Sequence, residues 1–205
     1  HVNLSLQDGS GNNAILDPSS PDGLSALAKF CIAGQLHHMP AMAALCAPIA
    51  NSYKRLLPGQ ISGYWKNWGH DHRCATVRVN PERDASTRLE NRMPDGAASP
   101  HSAIAAVLTA SRLGVEAKLS CPDPETGDAL ETANTEEHTP EHLGAAIEAL
   151  RADKEFVDAI GPEMVSQYLA IKEAEWGKYL AANGSWEETI DRFTEWEEQT
   201  YLPYL

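Results

Sequence analysis

The first residues of the chain alternate between polar and apolar side chains. This period of two over residues 1–7 predicts a half-buried strand, and the polar run DGSGNN at 8–13 predicts a turn after it. From residue 24 to 46 apolar positions recur at helical spacing, and Pro40 predicts two helices or one kinked helix there. Residues 58–69 are rich in Gly, Pro and aromatic side chains, which predicts a loop.

Two further runs, 73–79 and 87–93, read as strands. Ser99 followed by Pro100 is typical of a helix start, and it opens an Ala-rich helix that extends to about Lys118. After it the composition turns acidic, and the pattern becomes helical again.

The C-terminal pattern predicts a loop followed by helices. Thr139 with Pro140 repeats the helix-start signal, and Ser185 with Glu188 fits a capping box. The predicted segments are a loop at 121–138, helices at 141–158 and 162–182, and a last helix that ends near Tyr201. Together the elements predict an α+β chain, with antiparallel strands, packed helices and a helical C-terminal end.

Composition and charge limit the function classes. The 205 residues, 42% apolar and 22% charged, suffice for one domain with its own core. A net charge of −13 argues against a nucleic-acid or membrane partner. The charge is uneven: residues 1–120 hold 11 basic and 9 acidic side chains, whereas 121–205 hold 5 and 20. Anion chemistry is therefore expected in the first part.

The expected location is the cytoplasm. No apolar run approaches the length of a membrane span or resembles a signal peptide. The four cysteines form no CxxC pair, which favours free thiols in a reducing compartment over disulfides or a zinc site.

Charged side chains share one face of the run at 87–93. A period of two places Arg88, Glu90 and Arg92 together, and the opposite face holds Thr87, Leu89, Asn91 and Met93. A carboxylate between two guanidiniums stays ionised, and each arginine can hold a phosphate or carboxylate. Alone, the pattern is weak, and a solvated face with internal ion pairs is the favoured interpretation.

Other candidates are weaker by pattern alone. His1, Asn3 and Ser5 share the polar face of the first strand, where they could serve a metal and a nucleotide or be merely exposed. Arg73 and Arg78 are five residues apart, so alternation places them on opposite faces unless Arg73 lies in the preceding loop or a bulge intervenes.

Three side-chain groups have competing interpretations. Lys54-Arg55 is either a substrate-binding element or a solvated basic pair. His37 and His38 are adjacent at a helix end, so they are expected to point in different directions and not to form a metal pair. The aromatic residues Trp176, Tyr179, Trp186 and Trp196 are expected to be packing residues.

Taken in order, five segments resemble the glutamine synthetase family. They are HVNLSL at 1–6, NSYKRLLPG at 51–59, WGHDHRCATVRV at 68–79, RLENRMPD at 88–95 and SPHSAIAAVLTASRLGVEAKL at 99–119. The resemblance covers essentially the whole chain, which is similar to the C-terminal portion of the family's catalytic domain. It implies active-site strands, a flap loop and core helices at 1–120, and an acidic helical end at 121–205.

The resemblance implies a role for each matched position. The roles concern a divalent metal (Mg²⁺ or Mn²⁺), ATP and L-glutamate. They are His1 and Glu90 as metal ligands, Arg55 and Arg92 as glutamate-binding residues, Arg73 and Arg92 as catalytic residues, Arg73 and Arg78 as phosphate-binding residues, and Arg88, Ser5 and Asn3 at the nucleotide, where Asn3 replaces a usual histidine.

One departure concerns the acceptor. The family's P-G-[YF]-E-A-P becomes PGQISG at 58–63, so Ile61 stands where the family has the glutamate that binds and deprotonates ammonium. Ile61 is therefore an amine-pocket candidate, with Tyr64, Trp65 or Trp68 as companions. His70, Asp71 and His72 are candidates for a replacement base.

The resemblance implies ATP-dependent ligation of glutamate to an organic amine through γ-glutamyl phosphate. Ordinary glutamine synthetase activity with ammonia and a non-catalytic homologue are the alternatives. The family has further metal ligands upstream of His1 and assembles as rings, commonly a dodecamer of two hexamers. The expectation is a homo-oligomeric full-length protein and no turnover by these 205 residues alone.

Overall fold

A computed structural model describes residues 1–204. In this part of the chain a four-stranded sheet packs with seven α-helices. The strands are β1 (Val2–Leu4), β2 (Trp65–His70), β3 (Ala75–Val79) and β4 (Leu89–Asn91). The helices are α1 (Ala26–His37), α2 (Met39–Cys46), α3 (Pro100–Ala117), α4 (Leu143–Ala152), α5 (Lys154–Ile160), α6 (Pro162–Asn183) and α7 (Glu195–Tyr201), with short 3₁₀ turns at Ala50–Lys54 and Leu202–Tyr204.

The sheet is mixed, with the strand order β1-β4-β3-β2. β4 is antiparallel to both β1 and β3, whereas β2 runs parallel to β3. The α+β class is confirmed, and the expectation of antiparallel strands is correct for two pairs and wrong for the third. Short connections normally join antiparallel strands. Here, in contrast, residues 71–74 run back along the length of β2. β3 therefore starts beside the start of β2, where Trp65 pairs with Ala75, and the two strands are parallel.

The N-terminal helices follow the sequence pattern closely. Pro40 divides the apolar stretch into α1 and α2, because proline is tolerated in the first turn of a helix but not in its interior. α3 begins at Pro100 as predicted, although the Ser99 side chain forms no capping hydrogen bond. β2 lies largely within the stretch that was predicted as a loop.

The C-terminal helix starts differ from the sequence predictions. The predicted helix at 141–158 is two helices, because Asp153 ends α4 and its side chain caps α5. His142, not Thr139, caps α4. The last helix begins after Thr194, which forms the capping box with Glu197. The Ser185 and Glu188 pattern precedes a turn instead.

Two apolar clusters form the core. One lies between the sheet and α1 and contains Leu4, Trp68, Val77 and Leu89. The larger one joins α2, α3, α4, α5 and α6, so side chains from both parts of the sequence share it. The aromatic residues at 176, 179, 186 and 196 contact one another in this region, as expected for packing residues.

Two glycines allow α1 and α3 to cross at backbone contact. A Cβ at Gly34 would lie 2.1 Å from the carbonyl oxygen of Ala110 and 2.8 Å from the Cα of Gly114. A Cβ at Gly114 would lie 2.2 Å from the carbonyl oxygen of Phe30. Only glycine fits at either position, because an added Cβ would meet backbone atoms, which cannot move aside as a flexible side chain could.

A buried chain of side-chain hydrogen bonds continues from this crossing into the sheet. Gln35 donates from Nε2 to Ser111 Oγ at 3.0 Å and accepts at Oε1 from Asn91 Nδ2 at 2.9 Å. Asn91 also accepts from the backbone N–H of Met93. The three side chains are at most 4% exposed, so their hydrogen bonds connect α3, α1 and β4 through the core.

No helix among the described residues combines the length and apolarity that a membrane crossing needs. The four cysteines are free, as predicted. Burial raises the pKa of Cys31 to about 11 and that of Cys46 to about 12, so both thiols stay protonated near neutral pH.

The helix crossing gives a stability prediction. Gly34→Ala introduces a clash with α3, and we expect the free energy of unfolding to fall by about 1–3 kcal/mol. Gly177→Ala is the matched control, because Gly177 lies inside α6 with no atom within 4 Å of an added Cβ. We expect it to stabilise by about 0.5–1 kcal/mol. Urea unfolding measures both, and equal changes would contradict the close contact.

Candidate active site

One row of residues crosses the sheet and places the charged side chains. Asn3 of β1 pairs with Glu90 of β4, which pairs with Arg78 of β3, which pairs with Gly69 of β2. Residues paired across a sheet point to the same face. The predicted shared face of Arg88, Glu90 and Arg92 is therefore continued by side chains from the neighbouring strands.

Glu90 is the centre of a compact charge cluster. Its Oε1 atom lies 2.9 Å from His1 Nδ1 and 3.1 Å from Arg92 Nη1, and its Oε2 atom lies 2.9 Å from Arg78 Nη1. Arg78 also pairs with Asp71. Hydrogen bonds to Asp71 and Glu90 raise the pKa of Arg78 above its usual value. The structure thus brings three predicted site residues, His1, Arg78 and Arg92, into contact with a fourth, Glu90.

Arg55 lies beside this cluster under the predicted flap. It donates to the carbonyl oxygens of Ser62 and Met93. Burial lowers the pKa of Arg55 below its usual value; the charge of Asp95 opposes this effect, and that of Arg92 adds to it. Its Nε–H is buried with no partner among the described residues. A buried unsatisfied donor beside a second guanidinium is suited to an anionic ligand.

The flap loop is held against the cluster by close contacts. Gly63 has a φ of 75°, and an added Cβ would lie 3.1 Å from Thr76 Cα and 3.4 Å from Arg92 Cβ. The Thr76 hydroxyl donates to the carbonyl oxygen of Gly63 at 2.7 Å. A glycine here lets the loop approach β3 and β4 while its backbone takes a left-handed conformation.

Arg73 and Arg88 are at the edge of the cluster. Arg73 lies in the turn before β3, so the alternative that placed it in the preceding loop is correct. Its side chain is exposed, and its carbonyl oxygen accepts from Arg92 Nε at 2.9 Å. Arg88 donates to Asn3 Oδ1 at 3.1 Å on the exposed face. Ser5 is exposed beyond the end of β1 and has no hydrogen bond to these groups among the described residues.

Trp68, one of the three alternative companions of Ile61, lies away from the flap. Ile61 is 60% exposed on the flap, next to Ser62 and therefore close to Arg55. Trp68 is buried in the cluster beneath the sheet, and its indole N–H donates to the carbonyl oxygen of Pro122. Trp68 therefore cannot line a pocket with Ile61.

Of the three candidate bases, only Asp71 joins the cluster. His70 contacts Arg83, and His72 bonds to the carbonyl oxygen of Gly127. Asp71 bonds to Arg78, and its φ of 50° is uncommon for a residue other than glycine. Backbone strain of this kind concentrates at functional sites.

Sequence reasoning missed the role of Lys54. Its Nζ atom lies 2.7 Å from Oε2 of Glu197 in α7, whose side chain is fully buried. Asn51 Nδ2 and the backbone N–H of Thr194 also donate to Glu197. Lys54 is therefore neither a solvated residue nor a substrate ligand. It anchors the turn that carries Arg55, and no local sequence signal indicates this long-range contact.

The residues fit a divalent cation and a polyphosphate. His1 Nδ1 and Glu90 Oε1 are 2.9 Å apart, close to the roughly 3 Å between adjacent ligands of an octahedral ion with bonds of about 2.1 Å. Arg78 and Arg92 pair with the carboxylates of Glu90 and Asp71, and the unpaired donor belongs to a third arginine, Arg55. A guanidinium with a free N–H suits a phosphate or carboxylate group.

Comparison with known proteins gives consistent matches. Residues 1–190 match the family described as glutamine synthetase, catalytic domain. The glutamine synthetase of Methanocaldococcus jannaschii is 33% identical over 201 residues, which cover 95% of this chain and 42% of that protein. The glutamine synthetase of Staphylococcus epidermidis is 36% identical over 193 residues, or 91% of this chain and 43% of that protein.

Solved structures agree with the sequence matches. The GmaS/ADP complex superposes with a TM-score of 0.77 at 30% identity and covers 98% of this chain and 45% of that one. The chain thus spans less than half the length of the relatives that it matches. The motif order, the mixed sheet with its Glu90-centred cluster and these matches lead to one conclusion: the chain belongs to the glutamine synthetase family and represents part of its catalytic domain.

Proposed function

We propose that the full-length protein joins the γ-carboxylate of L-glutamate to an amine in an ATP-dependent reaction. The observation that carries the proposal is the cluster in which Glu90 contacts His1, Arg78 and Arg92 while Arg55 keeps a buried, unpaired donor. Its arrangement suits two anionic substrates that must be brought together.

The chemistry requires that negative charge be compensated. The γ-phosphoryl group leaves ADP and bonds to an oxygen of the glutamate γ-carboxylate, which gives γ-glutamyl phosphate. The amine nitrogen then attacks the carbonyl carbon, the carbon–oxygen bond to phosphate breaks, and the amine loses a proton. Both steps place charge on phosphate oxygens, which fixed guanidiniums stabilise.

Each residue has a defined part in the proposal. His1 and Glu90 would hold Mg²⁺ or Mn²⁺, which supplies charge neutralisation at the phosphates when bound. Arg55 and Arg92 orient the glutamate carboxylate, and Arg73 and Arg78 bind the transferring phosphoryl group. Three exposed residues at β1 and β4 would contact the nucleotide: Asn3, Ser5 and Arg88.

We propose an organic amine as the acceptor, because Ile61 offers hydrocarbon where the family has a carboxylate. A hydrocarbon side chain neither attracts ammonium nor takes its proton. The exposed position of Ile61, one residue from Ser62, leaves it available to an incoming alkyl group next to Arg55. The structural relative named GmaS is compatible with this proposal, and the relatives named glutamine synthetase favour ammonia as the second candidate.

The proposed setting is a cytoplasmic homo-oligomer, and two stacked hexameric rings are the expected form for a member of this family. The buried, protonated thiols of Cys31 and Cys46 are compatible with a reducing compartment. Analytical ultracentrifugation of the full-length protein tests the ring assembly.

The Glu90 cluster gives the first test of activity. In the full-length protein with Mg²⁺, we expect ADP release that depends on both glutamate and amine. Glu90→Gln removes the charge that balances two arginines and the proposed metal, so kcat/KM should fall by about 100-fold or more. Glu116→Gln is the control, because it disrupts an exposed pair with Arg112 on α3. Absence of ADP release by the unchanged protein would favour a non-catalytic homologue.

The acceptor is tested by comparing ammonium with primary alkylamines of increasing length. Each methylene that becomes buried near Ile61 contributes about 0.8 kcal/mol, which is roughly a fourfold gain in kcat/KM. We expect alkylamines to exceed ammonium at equal concentration. A clear preference for ammonium would reject the organic-amine proposal while leaving the ligase reaction in place.

Restoring the flap carboxylate is the complementary experiment. Ile61→Glu should raise kcat/KM for ammonium relative to alkylamines by about 10–100-fold, because the carboxylate attracts the cation and accepts its proton. Ile171→Glu, at a similarly exposed position on α6, should leave the ratio unchanged. An unchanged ratio in Ile61→Glu would mean that the flap does not select the acceptor.

A further inference from the structure

A second group of metal-type ligands lies away from the candidate active site, where α1 passes into α2 and meets the start of α5. It contains His37, His38 and Glu155. One ring nitrogen of each histidine and one carboxylate oxygen of Glu155 all lie within 4.8 Å of one another. The two histidines are adjacent, and Glu155 lies more than 100 residues further along the sequence.

The two histidines differ from the sequence expectation. Adjacent residues of a regular helix point about 100° apart. His38, however, lies between the two helices with φ −90° and ψ 6°, and the chain bends there. The rings of His37 and His38 consequently meet edge to face, with centroids 4.8 Å apart.

His38 is held in one orientation by its surroundings. Its side chain is 1% exposed, its ring stacks on Phe156 at 5.5 Å, and its Nδ1 atom lies 2.6 Å from Asp153 Oδ2. Among the described residues its Nε2 atom has no hydrogen-bond partner. A histidine whose one nitrogen bonds a carboxylate while the other is free is the usual arrangement of a metal ligand.

Asp153 is itself fixed at the start of α5, because its Oδ1 atom accepts from the backbone N–H of Phe156 at 3.1 Å. His37 and Glu155 are exposed, so a cation can approach from solvent and both side chains can move. Tetrahedral zinc ligands lie about 3.3 Å apart, which is shorter than the present limit of 4.8 Å between these atoms.

We propose that His37, His38 and Glu155 bind a Zn²⁺ ion, with Asp153 orienting His38. Two imidazole nitrogens and one carboxylate oxygen are a common zinc donor set, and a water can complete the tetrahedron. The ion would tie the α1–α2 junction to α5. It is separate from the His1 and Glu90 pair, whose proposed ion prefers oxygen ligands.

Zinc binding to the protein in excess Mg²⁺ tests the proposal, with a chromophoric chelator as competitor. We expect one Zn²⁺ per chain, with an affinity at least tenfold weaker in His37→Ala and in Glu155→Gln. Asp153→Asn, which keeps the cap of α5, should weaken binding by about 10–100-fold. His101→Ala and Glu163→Gln are matched controls at exposed helix starts and should bind like the unchanged protein.

Glu90→Gln separates the two proposed metal sites. Zinc binding that persists in Glu90→Gln and weakens in His37→Ala supports the second site. Equal affinity in His37→Ala and the unchanged protein, or loss of zinc in Glu90→Gln, would overturn it. Melting temperatures in the absence of zinc establish that each variant is folded, since the replaced side chains at 37 and 155 are exposed.

Discussion

The buried chain of hydrogen bonds from Ser111 through Gln35 to Asn91 is the constraint on which the arrangement of the site depends. Successive side chains of a strand point to opposite faces, so anchoring Asn91 in the core commits Glu90 and Arg92 to the other face. A slip of β4 by one residue would bury these charges beneath the sheet and leave Gln35 without its partner. The glycine crossing of α1 and α3 holds Gln35 at the required depth.

Charge compensation then explains why the cluster is compact. Glu90 is 13% exposed and Arg92 only 8%, and a charge removed from water to this degree is tolerated only when it is paired. The Glu90 carboxylate pairs with the side chains of His1, Arg78 and Arg92 together, but Arg55 retains an N–H donor without a partner among the described residues. A protein with a net charge of −13 thus keeps a buried guanidinium N–H that no described residue accepts from.

Sequence patterns were sufficient where local structure decides the outcome. The alternation in β4 identified the charged face, and the proline signals located α2 and α3, because both depend on neighbouring residues alone. β2 was missed because its pairing with β3 shifts register between Trp65 and Trp68, which removes the alternation.

Long-range contacts decided the remaining differences. Ser185 with Glu188 and Thr194 with Glu197 match the same capping pattern, and nothing local distinguishes them. Glu197 also reaches Lys54, far away in the sequence, and this contact selects the second pair. The positions of Arg55 and the flap depend on similar contacts, so the sequence could name candidate site residues without showing which of them touch.

Lys54 and Arg55 are adjacent, yet their side chains contact different parts of the fold. One is fixed by Glu197 in α7, and the other lies under the flap. Tyr201 adds a second connection, because its hydroxyl accepts from the backbone N–H of Ala50. Both α7 residues lie beyond residues 1–190, which match the family model. A change in this C-terminal helix would therefore shift the turn that carries Arg55 while every residue of the shared motifs stays the same.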